Sequence, residues 1–456
     1  MTSLMMRNSF PDKVAEYLEK KSFGQWNLEW EEESGIEAVI VIPAICEFEN
    51  IKKLIATLTL NPKSYLQKSL IIFVVNNSVS SSPEVKADNK LSILYIRKLI
   101  ENNPPDLLTE QILASGIRVG LIDAASDGKE FDDTIAGVGL ARKIGMDTAL
   151  QIFDYSNFNR KIIISLDADC LVEKNYLPEL HKFFKRESVV VATINFEHFY
   201  PEGQKNKLGI LSYEIFLRHY VAGLFFADSP FAFHTIGSTI VFDHEAYVKV
   251  EGMNTKKAAE DFYFLEKLAK HYKIDRINST KVIPSARESW RVPFGTGRSM
   301  IDYATNKKDI LLFDPEVYKI LKEWLLLFNS DLSLNIDLII KEAKLIHPEL
   351  YNFLENRKFQ KNWAKILINS KSIKQLDYQR KNWFDAFETL KLFHHLRDTT
   401  FPMLDIKTGI QKLFDLVNCS PKSASVFEKD DEELLFILYL SELKELENNL
   451  HKKLHV

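Results

Sequence analysis

The stretch RKIIISLDAD, Arg160–Asp169, decides the fold class, because an apolar run ends in two aspartates one residue apart. A continuous apolar run rich in β-branched residues is typical of a strand buried on both faces of a parallel sheet. Side chains alternate along a strand, so we expect Asp167 and Asp169 on the same side, at the strand's carboxyl end. Close carboxylates repel each other unless a cation neutralises them, and Mg²⁺ or Mn²⁺ prefers oxygen ligands. The pair therefore predicts a divalent-metal site, with an ordinary solvated turn as the alternative.

Strand and helix patterns alternate upstream of this stretch. Apolar strand patterns cover residues 37–43, 69–78 and 117–124, and helical patterns cover residues 49–58 and 137–153. Such alternation predicts an α/β fold with a mostly parallel sheet flanked by helices, which binds ligands at the carboxyl ends of its strands. Of the 16 glycines, only Gly409 lies beyond residue 300, so the last third is expected to be all-helical. We expect an N-terminal extension (1–35), an α/β domain (36–305) and a C-terminal helical domain (306–456).

The overall composition excludes several classes of protein. The 456 residues include 59 basic and 63 acidic side chains, for a net charge of -4, which argues against nucleic acid as a partner. Three widely spaced cysteines are typical of reduced thiols in a reducing compartment. Apolar runs are too short for a transmembrane segment or a signal peptide. The expected location is the cytoplasm, and the sequence leaves peripheral membrane contact open.

Two further motifs carry acidic and phosphate-binding side chains. Glu260 and Asp261 begin a helical pattern, where acids either complement the helix dipole or supply a general base. Gly137 and Gly139 begin an earlier helix and could admit a phosphate to its free N–H groups, with Arg142 nearby.

A glycine-containing segment, ESWRVPFGTGRSM (residues 288–300), comes after the helical pattern that begins at Glu260. Arg298 beside Gly295 and Gly297 is suited to phosphate, although solvated arginines on a surface loop are an equal alternative. Trp290 in the same segment could stack on a sugar or base. His234 could complete a metal shell or face an acceptor, but packing is the more frequent role of such a histidine.

In this order the motifs resemble family 2 glycosyltransferases of the GT-A fold. The resemblance runs from about residue 36 to residue 300 and rests on AVIVIPAICEFENIKKLI, IIFVVNNS, GVGLARKIG, SLDAD and GSTIVFDHEAYVKVEGMNTKKAAED. It implies a nucleotide-diphospho-sugar transferase with a Rossmann-like sheet. The implied metal ligands are Asp169 and Asp167, and the implied catalytic pair is Asp261, as general base, with Glu260. The donor-binding set, which includes the stacking candidate Trp290, is Pro43, Glu47, Asn76, Asn77, Arg142, Asp167, Trp290 and Arg298.

The implied activity is inverting transfer of a single sugar from a nucleoside-diphosphate sugar, with Mn²⁺ or Mg²⁺ as cofactor. A UDP-sugar is the expected donor, and the acceptor is a hydroxyl of a glycan, a lipid-linked molecule or a small molecule. The sequence departs from the family at Asn76–Asn77, where members often have an aspartate, and at Cys46, where an asparagine is common. The Gln-x-x-Arg-Trp motif of processive synthases is absent. Residues 85–115 form an insertion.

Two other functions stay open at this stage. A catalytically inactive nucleotide- or glycan-binding module would explain the Asn76–Asn77 departure. A sugar-phosphate nucleotidyltransferase would need a glycine-rich loop after the first strand, where this chain has PAICEFEN. The helical domain is expected either to shape the acceptor site or to mediate self-association into a homo-oligomer.

Overall fold

The computed structural model describes residues 10–104, 106–199, 207–287, 309–420 and 431–453. Its strands form one sheet and are β1 (Leu28–Trp30), β2 (Ala38–Ala44), β3 (Ser69–Asn76), β4 (Arg118–Ala124), β5 (Ile162–Ser165), β6 (Leu171–Val172), β7 (Val191–Phe196), β8 (Ile240–Asp243) and β9 (Ile274–Ile283). Their order across the sheet is β1-β4-β3-β2-β5-β8-β7-β9-β6. Strands β4, β3, β2 and β5 run parallel, and β8 is antiparallel to both of its neighbours, β5 and β7.

The helices that accompany the sheet lie mostly between its strands. They are α1 (Asp12–Lys21), α2 (Phe48–Leu58), α3 (Lys63–Leu66), α4 (Pro83–Ile100), α5 (Leu107–Ala114), α6 (Val138–Ile152), α7 (Tyr176–Phe184), α8 (Lys207–Phe226), α9 (His244–Lys249) and α10 (Glu260–His271). The C-terminal region adds α11 (Glu316–Phe328), α12 (Ile336–Ile346), α13 (Pro348–Asn356), α14 (Phe359–Asn369), α15 (Ile373–Trp383), α16 (Ala386–Thr399), α17 (Ile406–Leu416) and α18 (Glu432–Lys453). The α/β class, with a sheet mostly parallel in its core and a helical C-terminal region, is confirmed.

Strand β2 shows why the apolar runs form the centre of the sheet. Its alternate side chains enter two separate hydrophobic cores, with Ile40 and Ile42 on one face and Val39 and Val41 on the other. Helix α2 covers the first face with apolar residues spaced three and four apart, which are Ile51, Leu54, Ile55 and Leu58. Helix α6 covers the second face. Burial on both faces fixes β2, and therefore the position of the residues that follow it.

The expected N-terminal extension contributes directly to this architecture. Strand β1 pairs antiparallel with β4 and so extends the sheet at that side. Helix α1 buries Val14 and Tyr17 in the same core as α6. The 85–115 insertion folds into most of α4 and α5, and α4 packs on β4.

A third hydrophobic core belongs to the helical region and includes α8, which lies before residue 306. Leu211, Ile215 and Leu224 of α8 pack with residues of α11 to α18. Helix α18 lies along α8, and its Glu447 pairs with Arg276 of β9, so the C-terminal part of the described chain returns to the sheet. Among the described residues, no helix combines the length and the apolar character that crossing a membrane would require.

Candidate functional site

The predicted site residues gather at the carboxyl ends of the central parallel strands. Glu47 follows β2, Asn77 follows β3, and Asp167 and Asp169 follow β5. The side chain of Glu47 is only 4% exposed, whereas those of Asp167 and Asp169 are 35% and 24% exposed. The sheet therefore places these groups at one edge, as the alternation of strands and helices predicted.

The two aspartates lie just beyond the strand on whose end they were predicted. Asp167 and Asp169 lie in the turn after β5 and not on the strand itself, which ends at Ser165. The N–H of Leu166 still donates to the carbonyl of Val41. The next bond of a parallel ladder would come from the N–H of residue 43, but Pro43 has none. Pro43 therefore removes the hydrogen bond that would extend β5 and leaves the chain free to turn.

The turn brings Asp167, Asp169 and Cys170 together, with one potential ligand atom from each lying within 4.8 Å of the others. The two carboxylates provide hard oxygen ligands, so these residues fit Mg²⁺ or Mn²⁺. Cys170 is buried, and desolvation raises the pKa of its thiol well above the ordinary value. A protonated thiol is a poor ligand for a hard cation. Of these three residues, Asp167 and Asp169 are therefore the candidate ligands for a divalent cation.

Arg142 connects Asp167, after β5, with Glu260, at the start of α10. From α6 its guanidinium donates through Nη2 to Oδ1 of Asp167 at 2.5 Å, and through Nε to Oε1 of Glu260 at 3.1 Å. A third bond runs from Nη1 to the hydroxyl of Ser165 at 2.5 Å. Burial opposes its charged form, but the carboxylates of Asp167, Glu260 and Asp261 outweigh burial and raise the pKa of Arg142. Arg142 is thus a permanent cation, only 2% exposed.

The Glu260–Asp261 pair begins α10, directly after Ala259 in the left-handed region (φ 56°). Burial, and then the charge of Glu260, raises the pKa of Asp261 to about 7, although Arg142 opposes this shift. A carboxylate with a pKa near neutrality can accept a proton at physiological pH and is more basic than an ordinary aspartate. The raised pKa makes Asp261 a candidate for proton abstraction, and the hydrogen bond from Arg142 makes Glu260 a candidate for orienting that guanidinium.

Glycine at position 237 is required by close packing. A Cβ atom there would meet the guanidinium of Arg142 and would lie 3.4 Å from Oδ2 of Asp261.

The glycines at the start of α6 have a packing role as well. A side chain at Gly139 would meet the backbone of Asn254 and Lys256. The structure thus gives Gly139 a packing function at the point where the sequence suggested a phosphate contact.

Asn76 and Asn77 are held by the protein itself. The amide of Asn76 donates to the carbonyls of Ala44 and Val74. The side chain of Asn77 accepts a bond from Asn89 of α4 at 2.9 Å. Helix α4, part of the predicted insertion, therefore supports the end of β3.

Arg287 is a site residue that the sequence analysis missed. Its guanidinium donates to Oε1 of Glu47, and from Nε to Oδ2 of Asp169 at 3.0 Å. It lies after β9, directly before the segment in which Trp290 and Arg298 were predicted to bind the donor. That segment, including Trp290 and Arg298, is outside the described residues. An arginine between β9 and the glycine-containing segment was the available signal, but nothing in the sequence linked it to Glu47.

Two features flank the site on the side of the helical region. His234 donates from Nε2 to Oε1 of Glu447 in α18 at 3.0 Å. A small cavity of about 50 Å³ lies between α8, residues 231–235 and α16. Its lining is mostly apolar and includes Phe262, the residue after Asp261.

No protein-family model matches the chain, and no curated protein matches it. Among solved structures it is similar to residues 1–349 of TarS from S. aureus, with 10% identity and a TM-score of 0.35 over 92% of each chain. It is also similar to the mannosyltransferase PcManGT from Pyrobaculum calidifontis in complex with GDP-Man and Mn²⁺. That match has 11% identity and a TM-score of 0.34, over 94% of this chain and 92% of the other.

A third similar structure is glucosyl-3-phosphoglycerate synthase from Mycobacterium tuberculosis, in complex with Mn²⁺, UDP and glucosyl-3-phosphoglycerate. It has 12% identity and a TM-score of 0.31, over 54% of this chain and 70% of the other.

Proposed function

We propose that the chain is a metal-dependent, inverting glycosyltransferase that moves a single sugar from a nucleoside-diphosphate sugar to a hydroxyl acceptor. The observation that carries the proposal is the double contact of Arg142 with Asp167 and Glu260. The proposed metal ligands and the proposed base thus lie on either side of one buried cation, which supports the proposal. Transfer from a diphosphate needs both a neutralised leaving group and a deprotonated nucleophile.

The proposed reaction is one displacement at the anomeric carbon of the donor. Asp261 takes the proton from the acceptor hydroxyl while the acceptor oxygen forms its bond to that carbon. The bond from the carbon to the diphosphate oxygen breaks, and the diphosphate leaves with the electron pair. A divalent cation held by Asp167 and Asp169 would neutralise charge on the diphosphate.

Donor binding is assigned to the residues at the ends of β2 and β3, with a UDP-sugar as the preferred donor. Buried Glu47 is the candidate for the nucleoside, and Pro43 shapes the turn that presents the aspartates. Asn76 and Asn77 complete this side of the proposed pocket. Trp290 and Arg298 stay in the proposal as donor contacts from the segment that follows Arg287.

The acceptor is assigned to the side of the helical region. The cavity beside Phe262 supports this assignment, because Phe262 adjoins the proposed base and the cavity walls come from α8 and α16. The division into an α/β domain (36–305) and a helical domain (306–456) is retained, with α8 as the helix of the first that packs into the second.

The test is release of nucleoside diphosphate from a panel of UDP-, GDP- and CDP-sugars with a mixture of hydroxyl acceptors and Mn²⁺. Wild type is compared with Asp261→Asn, and with Asp337→Asn as an exposed control in α12. We expect turnover in wild type and the control, and retained donor binding without turnover in Asp261→Asn. Binding of a nucleotide with no turnover in wild type would instead support the inactive binding module. The hydrogen bonds from the Asn76 amide to backbone carbonyls of the protein itself favour that alternative.

A further inference from the structure

Arg287 contacts two carboxylates that follow different strands. One, Glu47, is proposed to bind the donor, and the other, Asp169, is proposed to bind the metal. Glu47 follows β2, Asp169 follows β5, and Arg287 follows β9. Nη2 of Arg287 lies 2.9 Å from Oδ2 of Asp169, and the same nitrogen donates to Glu47. The guanidinium therefore already supplies positive charge at a proposed metal ligand.

The two carboxylates that contact Arg287 differ in burial and in their other bonds. Glu47 is buried and is further held by Nδ2 of Asn50 at 2.5 Å. The Arg287 side chain is 34% exposed and that of Asp169 is 24% exposed. A partly exposed ion pair is weaker than a buried one, because water screens it and can replace it. The contact with Asp169 is thus the one that can be exchanged at modest cost.

We propose that Arg287 is a built-in counter-ion that competes with the divalent metal for Asp169, so that metal binding is coupled to its release. This inference rests on the proposed function and adds a positioning residue to it. A metal cation and a guanidinium cannot both take the same Oδ2 without repulsion, so one displaces the other. Arg287, once released, remains next to the proposed diphosphate position, where its planar fork can donate to phosphate oxygens.

The experiment measures Mn²⁺ binding by titration calorimetry on the full chain, without nucleotide, at fixed pH and ionic strength. Wild type is compared with Arg287→Gln and Arg287→Lys. The control is Arg397→Gln, because Arg397 is 35% exposed and pairs with Asp398 far from the site in sequence. We expect Arg287→Gln to bind Mn²⁺ about three- to tenfold more tightly, the scale of one partly exposed charge-assisted contact. Arg287→Lys and the control should stay within about twofold of wild type.

The sign of the change separates competition from structural damage. Damage to the site would weaken Mn²⁺ binding, whereas removal of a competitor strengthens it. The double variant Asp169→Asn/Arg287→Gln should lose the gain, because the gain requires the Asp169 carboxylate. Unchanged or weaker Mn²⁺ binding in Arg287→Gln, or no Mn²⁺ binding in any variant, would overturn the proposal.

The same variants also distinguish this inference from the proposed function. Tighter Mn²⁺ binding in Arg287→Gln with no turnover of any sugar nucleotide by wild type would support the exchange and reject the transferase. Turnover by wild type with unchanged Mn²⁺ affinity in Arg287→Gln would do the opposite.

Discussion

Arg142 and Glu260 are joined by a 3.1 Å hydrogen bond from Nε to Oε1, although 118 residues separate them in the sequence. The bond connects the first turns of α6 and α10, on the face of the sheet that α6 covers. It matters because the neighbouring nitrogen of Arg142 reaches Asp167. One side chain thus sets the distance between the proposed metal ligands and the proposed base.

Replacing Arg142 by methionine should destabilise the protein strongly. Arg142 is 2% exposed, and its removal leaves Glu260 and Asp167 without their cation. Loss of one partner from a buried ion pair costs about 3–5 kcal/mol of unfolding free energy. Urea unfolding followed by circular dichroism measures this change. Arg397→Met, at an exposed pair, is the control, and equal stability of the two variants would contradict the role given to Arg142.

Asp261 should give the reaction its pH dependence. Because the pKa of Asp261 is raised to about 7, its basic form becomes abundant only as pH rises through that value. We expect kcat/KM to rise with pH through about 7 and then level off at the alkaline side. Asparagine at position 261 should lower kcat by about 10²- to 10⁴-fold, the usual contribution of a positioned general base. A pH profile that is flat between pH 5 and 9 would contradict the assignment.

The same residue predicts a slope of stability with pH. The folded protein holds the Asp261 proton up to about pH 7, whereas the unfolded carboxyl loses it near its ordinary value of 3.8. Between these values the folded state binds more protons, so the unfolding free energy falls as pH rises. Asp261→Asn removes that fall and should be more stable than wild type at pH 8. Urea midpoints at pH 4, 6 and 8 measure the difference, with Asp337→Asn as control.

Much of the fold could be predicted from the sequence because its strands are buried on both faces. The apolar run at residues 69–78 became β3, and all of its residues from Ser69 to Asn76 are buried. The end of β5 is decided by its partner strand β2 and not by its own residues. β5 stops at Ser165 because Pro43, more than 120 positions earlier, has no N–H to donate.

The site was predictable only where motif and position coincide. Asp167, Asp169 and the Glu260–Asp261 pair each stand at the start or end of an element with a recognisable pattern. Arg287 has no such pattern, because its role depends on the register by which β9 brings it beside Asp169. Contacts of this kind depend on the folded arrangement of three strands, and a single sequence does not reveal them.

Alanine at position 237 should damage the site more than the fold. The added Cβ would push against Arg142 and approach Asp261, and both side chains would have to shift. Overpacking of this kind costs about 1–3 kcal/mol of unfolding free energy. We expect turnover to fall by more than tenfold while the protein stays folded at 25 °C. Gly24→Ala is the matched control, since a Cβ at Gly24 would have no atom within 4 Å.

Glu447 should determine how stably α18 packs against α8 and β9. Its carboxylate is 0% exposed and accepts from Arg276 at 2.8 Å and from Arg218 at 3.2 Å. Exchange for glutamine keeps the shape but leaves both guanidinium groups short of one negative charge. We expect a loss of about 3–5 kcal/mol of unfolding free energy, with Glu355→Gln, an exposed position in α13, as control. Hydrogen exchange should rise first in α18 and α8.

Acid should weaken the same attachment. Burial alone would raise the pKa of Glu447, but His234, Arg218 and Arg276 outweigh it and lower the pKa to about 2. A lowered carboxyl pKa adds stability above the ordinary value of 4.5, and this stability is lost as pH falls from 4.5 towards 2. The protection factors of the α18 amides, which are corrected for the intrinsic pH dependence of exchange, should therefore fall across that interval in wild type. Glu447→Gln should already show low protection factors at pH 7, with little further change down to pH 3. Equal acid sensitivity of wild type and Glu447→Gln would assign the effect to other carboxylates, such as Glu214, and would remove Glu447 as the group that holds α18.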